Sequence, residues 1–198
     1  PFENDRYFVH KSAPISLENW ATQMVTVFGD KGKLGIAFCI AANFRDLFIQ
    51  HYNFFPLFGG FGQKDSGKSG FGSCLQSFFY WNLNPLELNT STLVGLARRL
   101  TRCKNTIVFC DEMRDDIDES MHQTLKGTWN GIGREKGKGF DSNKTTVDKI
   151  NSAVYYSGQY LPTRDDGALP SRSIITNFEN KDYSPAEKEE YNKLISWN

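Results

Sequence analysis

Short continuous apolar runs alternate with longer amphipathic stretches along this chain. The apolar runs lie at about 54–61, 106–111, 153–159 and 171–178. They have the length of strands and are apolar enough for burial on both faces of a sheet. Helical patterns occupy about 68–80, 93–102 and 117–126 between them. Strands that alternate with helices predict an α/β fold with a mostly parallel sheet flanked by helices.

The N-terminal quarter of the chain is predicted to be helical. One helix starts at Ser16, and a second over residues 34–48 is apolar almost all round, which predicts that it is buried. We place a helical segment at 1–50, packing on a core domain at 51–198. The chain lacks an initial methionine and stops inside a predicted helix, so we expect it to be part of a longer polypeptide.

Bulk composition excludes few functions. The 198 residues suffice for one packed domain, and 14% of them are aromatic. Lys+Arg and Asp+Glu both total 23, so net charge favours no class of partner. Without a signal peptide or an apolar run long enough to span a bilayer, we expect a cytoplasmic protein with no membrane partner. Free thiols and non-ligating histidines are expected at Cys39, Cys74, Cys103, Cys110, His10, His51 and His122.

The strongest local motif follows the first apolar run. Residues Gly62–Ser69 fit the phosphate-binding pattern G-x-x-x-x-G-K-[ST] at every fixed position. Its glycines let backbone N–H groups approach phosphate oxygens, Lys68 supplies a cation, and the Ser69 hydroxyl is a Mg²⁺ ligand. The predicted nucleotide-binding residues are Gly62, Gln63, Lys64, Asp65, Ser66, Gly67, Lys68, Ser69 and Gly70. The alternative for such a loop in isolation is an ordinary glycine-rich turn.

A second motif makes that alternative weak. The apolar run 106–110 ends in the adjacent carboxylates Asp111 and Glu112. Ligands bind at the carboxyl ends of parallel strands, so we predict that Asp111 holds Mg²⁺ and Glu112 polarises an attacking water. A kinase must exclude water from the γ-phosphate, whereas a carboxylate placed as a water base favours ATP hydrolysis.

Two further polar groups are candidates for the same site. The strand ending Ser157-Gly158-Gln159 offers a group to sense the γ-phosphate, and we favour Gln159 over Ser157; the alternative is a polar turn. Arg172 lies between Pro170 and an apolar run. It could reach the nucleotide site of a neighbouring subunit, or it could be a surface arginine at a strand start.

Basic residues concentrate in two places. Arg98, Arg99, Arg102 and Lys104 are predicted to form a solvated helix face. The glycine- and lysine-rich stretch 127–149 is predicted to be a mobile loop that either is solvated or binds single-stranded DNA. The candidate nucleic-acid contacts there are Lys136, Lys138, Phe140 and Lys144.

With these residues, the chain resembles P-loop helicase-type ATPases, in particular superfamily 3-like, AAA-related primase–helicase proteins of bacteria, phages and mobile elements. The resemblance extends from the apolar helix near Gly35 to Phe178 and includes 125–134 and 169–172. It implies phosphate and Mg²⁺ binding by Lys68 and Ser69, with Asp111 and Glu112 as metal carboxylate and water base. Many relatives place Asn or Thr where this chain has Ser-Gly-Gln.

The resemblance also implies an assembly. Gln159 or Ser157 would be its polar sensor, and Arg172 an arginine finger supplied in trans. A ring, commonly a hexamer, would hold single-stranded DNA in its channel. We therefore predict Mg²⁺-dependent ATP hydrolysis that drives a helicase or translocase in DNA replication. The alternative is an ATP-driven protein-remodelling or nucleotide-switch module, and a metabolic kinase ranks third.

Overall fold

The computed structural model describes residues 12–137 and 145–198, without the side chains of 134–137, 145–148, 165 and 166. Within these ranges the helices are α1 (Leu17–Phe28), α2 (Asp30–Ala42), α3 (Arg45–Tyr52), α4 (Lys68–Ser77), α5 (Leu93–Arg102), α6 (Glu119–Gly127), α7 (Arg164–Gly167) and α8 (Pro185–Ile195). The strands are β1 (Leu57–Gly62), β2 (Leu86–Glu87), β3 (Ile107–Met113), β4 (Ile132–Gly137), β5 (Thr145–Lys149), β6 (Ala153–Gly158) and β7 (Ser173–Phe178).

Five strands form one parallel sheet in the order β2–β3–β6–β1–β7. The crossovers between these strands carry helices, as parallel pairing requires. Parallel strands end at a common edge, so the segments after β1, β3 and β6 meet at the carboxyl-terminal edge of the sheet. The predicted α/β fold with a mostly parallel sheet flanked by helices is confirmed.

Both faces of this sheet are covered, which explains why its central strands are continuously apolar. Phe109 and Tyr155 pack in one hydrophobic cluster with side chains from α1, α2, α4 and α8. Their neighbours Val108 and Tyr156 point the opposite way, into a cluster with side chains from α5 and α6. Successive strand residues alternate between the two faces of a sheet, so every position of a strand that is buried on both faces favours an apolar residue.

The single buried helix predicted over 34–48 is wrong in two respects. The chain forms α2 and α3 instead, with a break at Asn43 and Phe44, and the Asn43 amide donates to the Cys39 carbonyl 2.9 Å away. The inner face of α2 is buried, but several apolar residues of the two helices remain exposed: Leu34, Ile40, Phe44, Leu47 and Phe48.

Arg45 accounts for the change in helix direction. Its side chain is 2% exposed and donates to the carbonyls of Ile150, at 2.8 Å, and Thr128, at 2.6 Å. Burial lowers the pKa of this guanidinium to about 10, so it stays charged at neutral pH. Two hydrogen bonds from a charged donor tie the start of α3 to segments on either side of β4 and β5.

The predicted mobile loop over 127–149 is corrected to an antiparallel hairpin. Strands β4 and β5 pair from Ile132 opposite Lys149 to Gly137 opposite Thr145. Of the candidate nucleic-acid contacts, Lys136 belongs to β4, but its side chain is not described. The other three candidates, Lys138, Phe140 and Lys144, lie outside the described residues.

Two smaller expectations concern cysteines and membranes. Cys39, Cys74 and Cys110 are buried free thiols, as predicted, whereas Cys103 is only partly buried. Burial raises the pKa of Cys74 to about 12. In the described part of the chain, no helix combines the length and apolarity needed to cross a bilayer.

Candidate nucleotide site

The loop between β1 and α4 contains two glycines whose backbone conformations few other residues adopt. Gly67 precedes the helix with φ 94° and ψ 2°, a left-handed conformation that glycine adopts without strain. Gly62 has φ 148°, and a Cβ there would meet the Phe178 carbonyl oxygen, so no other residue fits. The Ser66 hydroxyl donates to the Gln63 carbonyl at 2.8 Å and closes the loop on itself. The first N–H groups of α4 have no partner within the helix and can bind an anion.

Lys68, the first residue of α4, is a buried cation at the end of this loop. Its side chain is 8% exposed, and its ammonium donates to the Gln63 carbonyl at 2.5 Å and the Ser66 hydroxyl at 3.2 Å. Both acceptors are neutral, and no carboxylate of the described residues pairs with it at salt-bridge distance. Burial lowers the pKa of Lys68, and the nearby carboxylates, Asp111 foremost, oppose that shift. A buried cation whose hydrogen-bond acceptors are neutral favours the binding of a polyanion such as a nucleotide phosphate.

Asp111 and Glu112 form an irregularity in the pairing of β3 with β6 at this edge of the sheet. The β3–β6 register shifts between Cys110 and Met113, and Glu112 has φ 59°, which costs a non-glycine residue about 1–3 kcal/mol. Bulges of this kind re-aim side chains beside functional sites. The Glu112 amide donates to the Asp111 carboxylate at 2.9 Å, which helps to fix the bulge.

Ser157 directly contacts Asp111, the candidate metal ligand. It is fully buried on β6, and its hydroxyl donates to the Asp111 carboxylate in a short hydrogen bond. Gln159, the favoured sensor, follows the end of β6 and is exposed at the same edge. The sheet thus brings Ser157 and Gln159 to the side of Asp111, and Ser157 makes the contact.

Arg172 lies elsewhere. It ends the turn before β7, and Ser173 pairs with Leu57 while Phe178 pairs with Gly62. The five residue steps from Ser173 to Phe178 span about 17 Å along the strand. Arg172 therefore lies at the amino-terminal edge of the sheet, away from its own phosphate loop. Its guanidinium donates to the Ala168 carbonyl.

Three residues at the site were not predicted from the sequence. Arg114 forms an ion pair with Glu112, with 2.8 Å between Nη2 and Oε2. Glu87 pairs with Asp111 in the β2–β3 ladder, and burial followed by the two nearby carboxylates raises its pKa. The buried Tyr155 hydroxyl donates to the Lys68 carbonyl at 3.1 Å and supports the first turn of α4. Arg114 follows its partner by two residues and was detectable; the other two contacts depend on sheet order.

The residues present fit a Mg²⁺–nucleotide. Mg²⁺ takes few protein oxygens and completes its octahedron with water and phosphate. Ser69, exposed at the start of α4, and Asp111, held by Ser157, are the oxygens that would hold it. The described residues contain no cluster of three or more His, Cys, Asp or Glu side chains able to hold a metal ion.

The comparisons with known proteins agree with the observed fold. A SCCmec type IV Cch, described as an active helicase, superposes with a TM-score of 0.63 at 20% sequence identity. The match covers 93% of this chain and 35% of that chain, so this chain spans about a third of the Cch protein. This chain has the P-loop NTPase fold.

Two structures of RuvB also match more loosely. Thermotoga maritima RuvB, titled a Holliday junction branch migration motor, gives a TM-score of 0.44 at 15% identity, over 91% of this chain and 50% of that one. A mutant of RuvB gives 0.48 at 14% identity, with shares of 91% and 50%. No protein-family model and no curated protein matches the sequence. The likeness to Cch at 20% identity shows a shared fold, while function must be argued from the site.

Proposed function

We propose that this chain is a Mg²⁺-dependent ATPase whose hydrolysis drives a DNA helicase or translocase in replication of a genome or mobile element. The observation that carries the ATPase is Lys68, a buried cation with only neutral hydrogen-bond acceptors. It begins α4 at the same sheet edge as Asp111 and Glu112. A cation at a helix N-terminus, at the same sheet edge as a carboxylate pair, suits a nucleoside triphosphate and its metal.

Each residue has one task in this proposal. Lys68 and the loop N–H groups bind the β- and γ-phosphates. Ser69 and Asp111 hold Mg²⁺, which supplies charge neutralisation at the transferring phosphoryl group. The Ser157 hydroxyl orients Asp111. The Glu112 carboxylate orients the attacking water and accepts its proton.

The DNA part of the proposal has separate support. The fold likeness to Cch, described as an active helicase, favours a motor acting on nucleic acid. The β4–β5 hairpin and its surroundings are rich in basic residues, including three of the candidate contacts, Lys136, Lys138 and Lys144, and the fourth candidate, Phe140, is aromatic. The proposal also includes action in a ring, with six subunits as the resemblance implies. It further places the protein in the cytoplasm.

The test is steady-state ATP hydrolysis with and without oligo(dT), at low and physiological salt, over a range of protein concentrations. We expect hydrolysis to rise with oligo(dT), more weakly at higher salt because phosphate contacts release counterions. It should also rise faster than in proportion to protein concentration, because each site needs a neighbour. Hydrolysis that ignores DNA would favour a protein-remodelling or switch role, and absence of hydrolysis in every condition would overturn the ATPase.

Replacement of Arg172 by alanine tests the action in trans. The arginine lies just before β7, at the edge opposite its own phosphate loop, so we expect Arg172→Ala to slow the assembled protein about a thousandfold or more. The rate of dilute monomers should be unchanged. Turnover is measured across the assembly range defined by sedimentation velocity.

A mixing experiment controls for misfolding. Subunits with Arg172→Ala keep an intact nucleotide site, and subunits with Lys68→Met keep an intact arginine. Mixed assemblies should therefore recover part of the lost activity. Equal loss in monomers and assemblies, without recovery on mixing, would show that Arg172 acts within its own subunit or only in folding.

A further inference from the structure

A strip of aromatic rings runs along the end of α3 and across to the segment after α6. The strip consists of the exposed Phe48, Tyr52 and Phe54 and of the half-buried Trp129, which also packs against a hydrophobic core cluster. Phe48, Tyr52 and Phe54 are 36%, 57% and 39% exposed. Their ring centroids follow one another at 5.9 Å from Phe48 to Tyr52 and 6.4 Å from Tyr52 to Phe54. The nucleotide site does not use these rings, which belong to the opposite edge of the sheet, before β1 starts.

The far end of the strip is a flat stacked pair. The rings of Phe54 and Trp129 lie 4.4 Å apart at an interplanar angle of 9°. The Phe55 amide donates to the Trp129 carbonyl at 2.7 Å, so the backbone holds both segments in register. Aromatic pairs inside proteins more often tilt or meet edge to face. A flat pair at the surface continues naturally into another planar ring stacked on it.

The strip is also anchored to the base of the β4–β5 hairpin. Arg45, at the start of α3, donates to the Thr128 carbonyl on one side of the hairpin and the Ile150 carbonyl on the other. Gly131, just before β4, packs near Ile49 of α3. The aromatic rings are thus held at a set position beside the hairpin.

Two lysines lie in the elements that adjoin the strip. Lys126 lies in the last turn of α6, three residues before Trp129, and the exposed Lys149 pairs with Ile132 across the hairpin. The one carboxylate of α3, Asp46, already forms an ion pair with Lys104 at 2.6 Å. Cations that flank exposed ring faces complement a phosphate backbone whose bases stack on those faces.

We propose that the aromatic strip is a stacking platform for the unpaired bases of a single-stranded nucleic acid. The inference rests on the proposed function, because it places a strand of DNA next to the hairpin of a nucleic-acid motor. Tyr52 and the Phe54–Trp129 pair stack bases, and Lys126 and Lys149 contact the phosphates. Stacking on aromatic side chains tolerates any base sequence, which suits a protein that moves along a strand.

The double variant Tyr52→Ala/Phe54→Ala tests this platform. Its binding to fluorescein-labelled oligo(dT) of about 20 nucleotides, the scale of one or two single-strand sites, is measured by anisotropy without nucleotide. We expect affinity to fall about tenfold or more. The factor should be similar at low and physiological salt, because stacking does not depend on counterion release. An abasic strand of equal length should bind the variant and the unchanged chain alike.

Matched variants separate stacking from folding. Trp81 is 57% exposed like Tyr52, but lies outside the strip, so Trp81→Ala should leave oligo(dT) affinity unchanged. Tyr52→Phe/Phe54→Tyr keeps both rings and should bind as tightly as the unchanged chain. Thermal unfolding of each variant verifies the fold. A matching oligo(rU) series shows whether the sugar matters.

Several outcomes would overturn the platform. These are a double variant that binds oligo(dT) normally, an unchanged chain that binds the abasic strand as tightly as oligo(dT), and no oligo(dT) binding at all. A double variant that loses self-association in sedimentation velocity, with DNA affinity intact, would assign the strip to a contact between copies of this chain. Failure of the ATPase proposal would appear separately, as absent hydrolysis with oligo(dT) binding retained.

Discussion

We expect replacement of Lys68 by methionine to abolish ATP hydrolysis, with turnover reduced at least about a thousandfold. The side chain is 8% exposed and contacts only neutral acceptors, so its charge is available to the phosphates. Methionine keeps the length and removes the charge. Phosphate release in steady state measures the rate, and the thermal shift caused by Mg²⁺–ATP measures binding, which should also disappear.

The stability of the nucleotide-free protein provides a check on the same variant. Burial lowers the pKa of Lys68 in the folded state, so charge on this residue favours the unfolded chain at neutral pH. Lys68→Met should therefore unfold no more easily than the unchanged chain. Lys33→Ala, at an exposed residue that pairs with Asp30, is the control and should keep full turnover. Preserved hydrolysis in Lys68→Met would show that Gly62–Ser69 does not form the nucleotide site.

Replacement of Glu112 by glutamine should stop turnover and leave binding intact. A general base contributes about 10²–10⁴ to a rate, and glutamine cannot accept the proton of the attacking water. Its amide oxygen can still accept from Arg114, and the left-handed backbone at Glu112 tolerates glutamine as it does glutamate. A single-turnover experiment measures hydrolysis, and titration with a fluorescent nucleotide analogue measures affinity.

The contrast between the two variants is informative. Lys68→Met should lose binding and turnover together, whereas Glu112→Gln should lose turnover alone. Asp116→Asn, which removes an exposed carboxylate from the following loop, is the matched control and should behave as the unchanged chain. Loss of nucleotide binding in Glu112→Gln would reassign Glu112 from water base to metal ligand or structural residue.

Some features of the candidate site arise from residues that are adjacent in the chain, and others from residues that are far apart in it. The phosphate loop is local: eight consecutive residues determine a turn, a cation and a helix start, so their chemistry is legible in the sequence. The apolar run before Asp111 is local as well. Ser157, 46 positions from Asp111, is recognised as its partner only when β6 lies between β1 and β3. Tyr155 supports Lys68 for the same reason, across 87 positions.

Two wrong expectations have the same origin. An apolar stretch over 34–48 predicts one buried helix when only periodicity is considered, because periodicity does not reveal what will cover each face. The chain changes direction after α2, where the buried Arg45 side chain donates to carbonyls about a hundred residues ahead. The aromatic rings that follow Arg45 in α3 remain exposed. Glycine and lysine over 127–149 suggest a loop, but strand pairing between β4 and β5 overrides low propensity.

The sequence by itself determined the α/β fold class, the phosphate loop and the carboxylate pair, because hydrophobic periodicity and short-range backbone chemistry are properties of neighbouring residues. Tertiary structure alone decided which strands adjoin, and with them the partners of Asp111, Lys68 and Glu87. It also placed Arg172 at the opposite edge of the sheet and left the aromatic strip uncovered beside the hairpin. These are contacts between distant segments, and their geometry exists only once the sheet order is established.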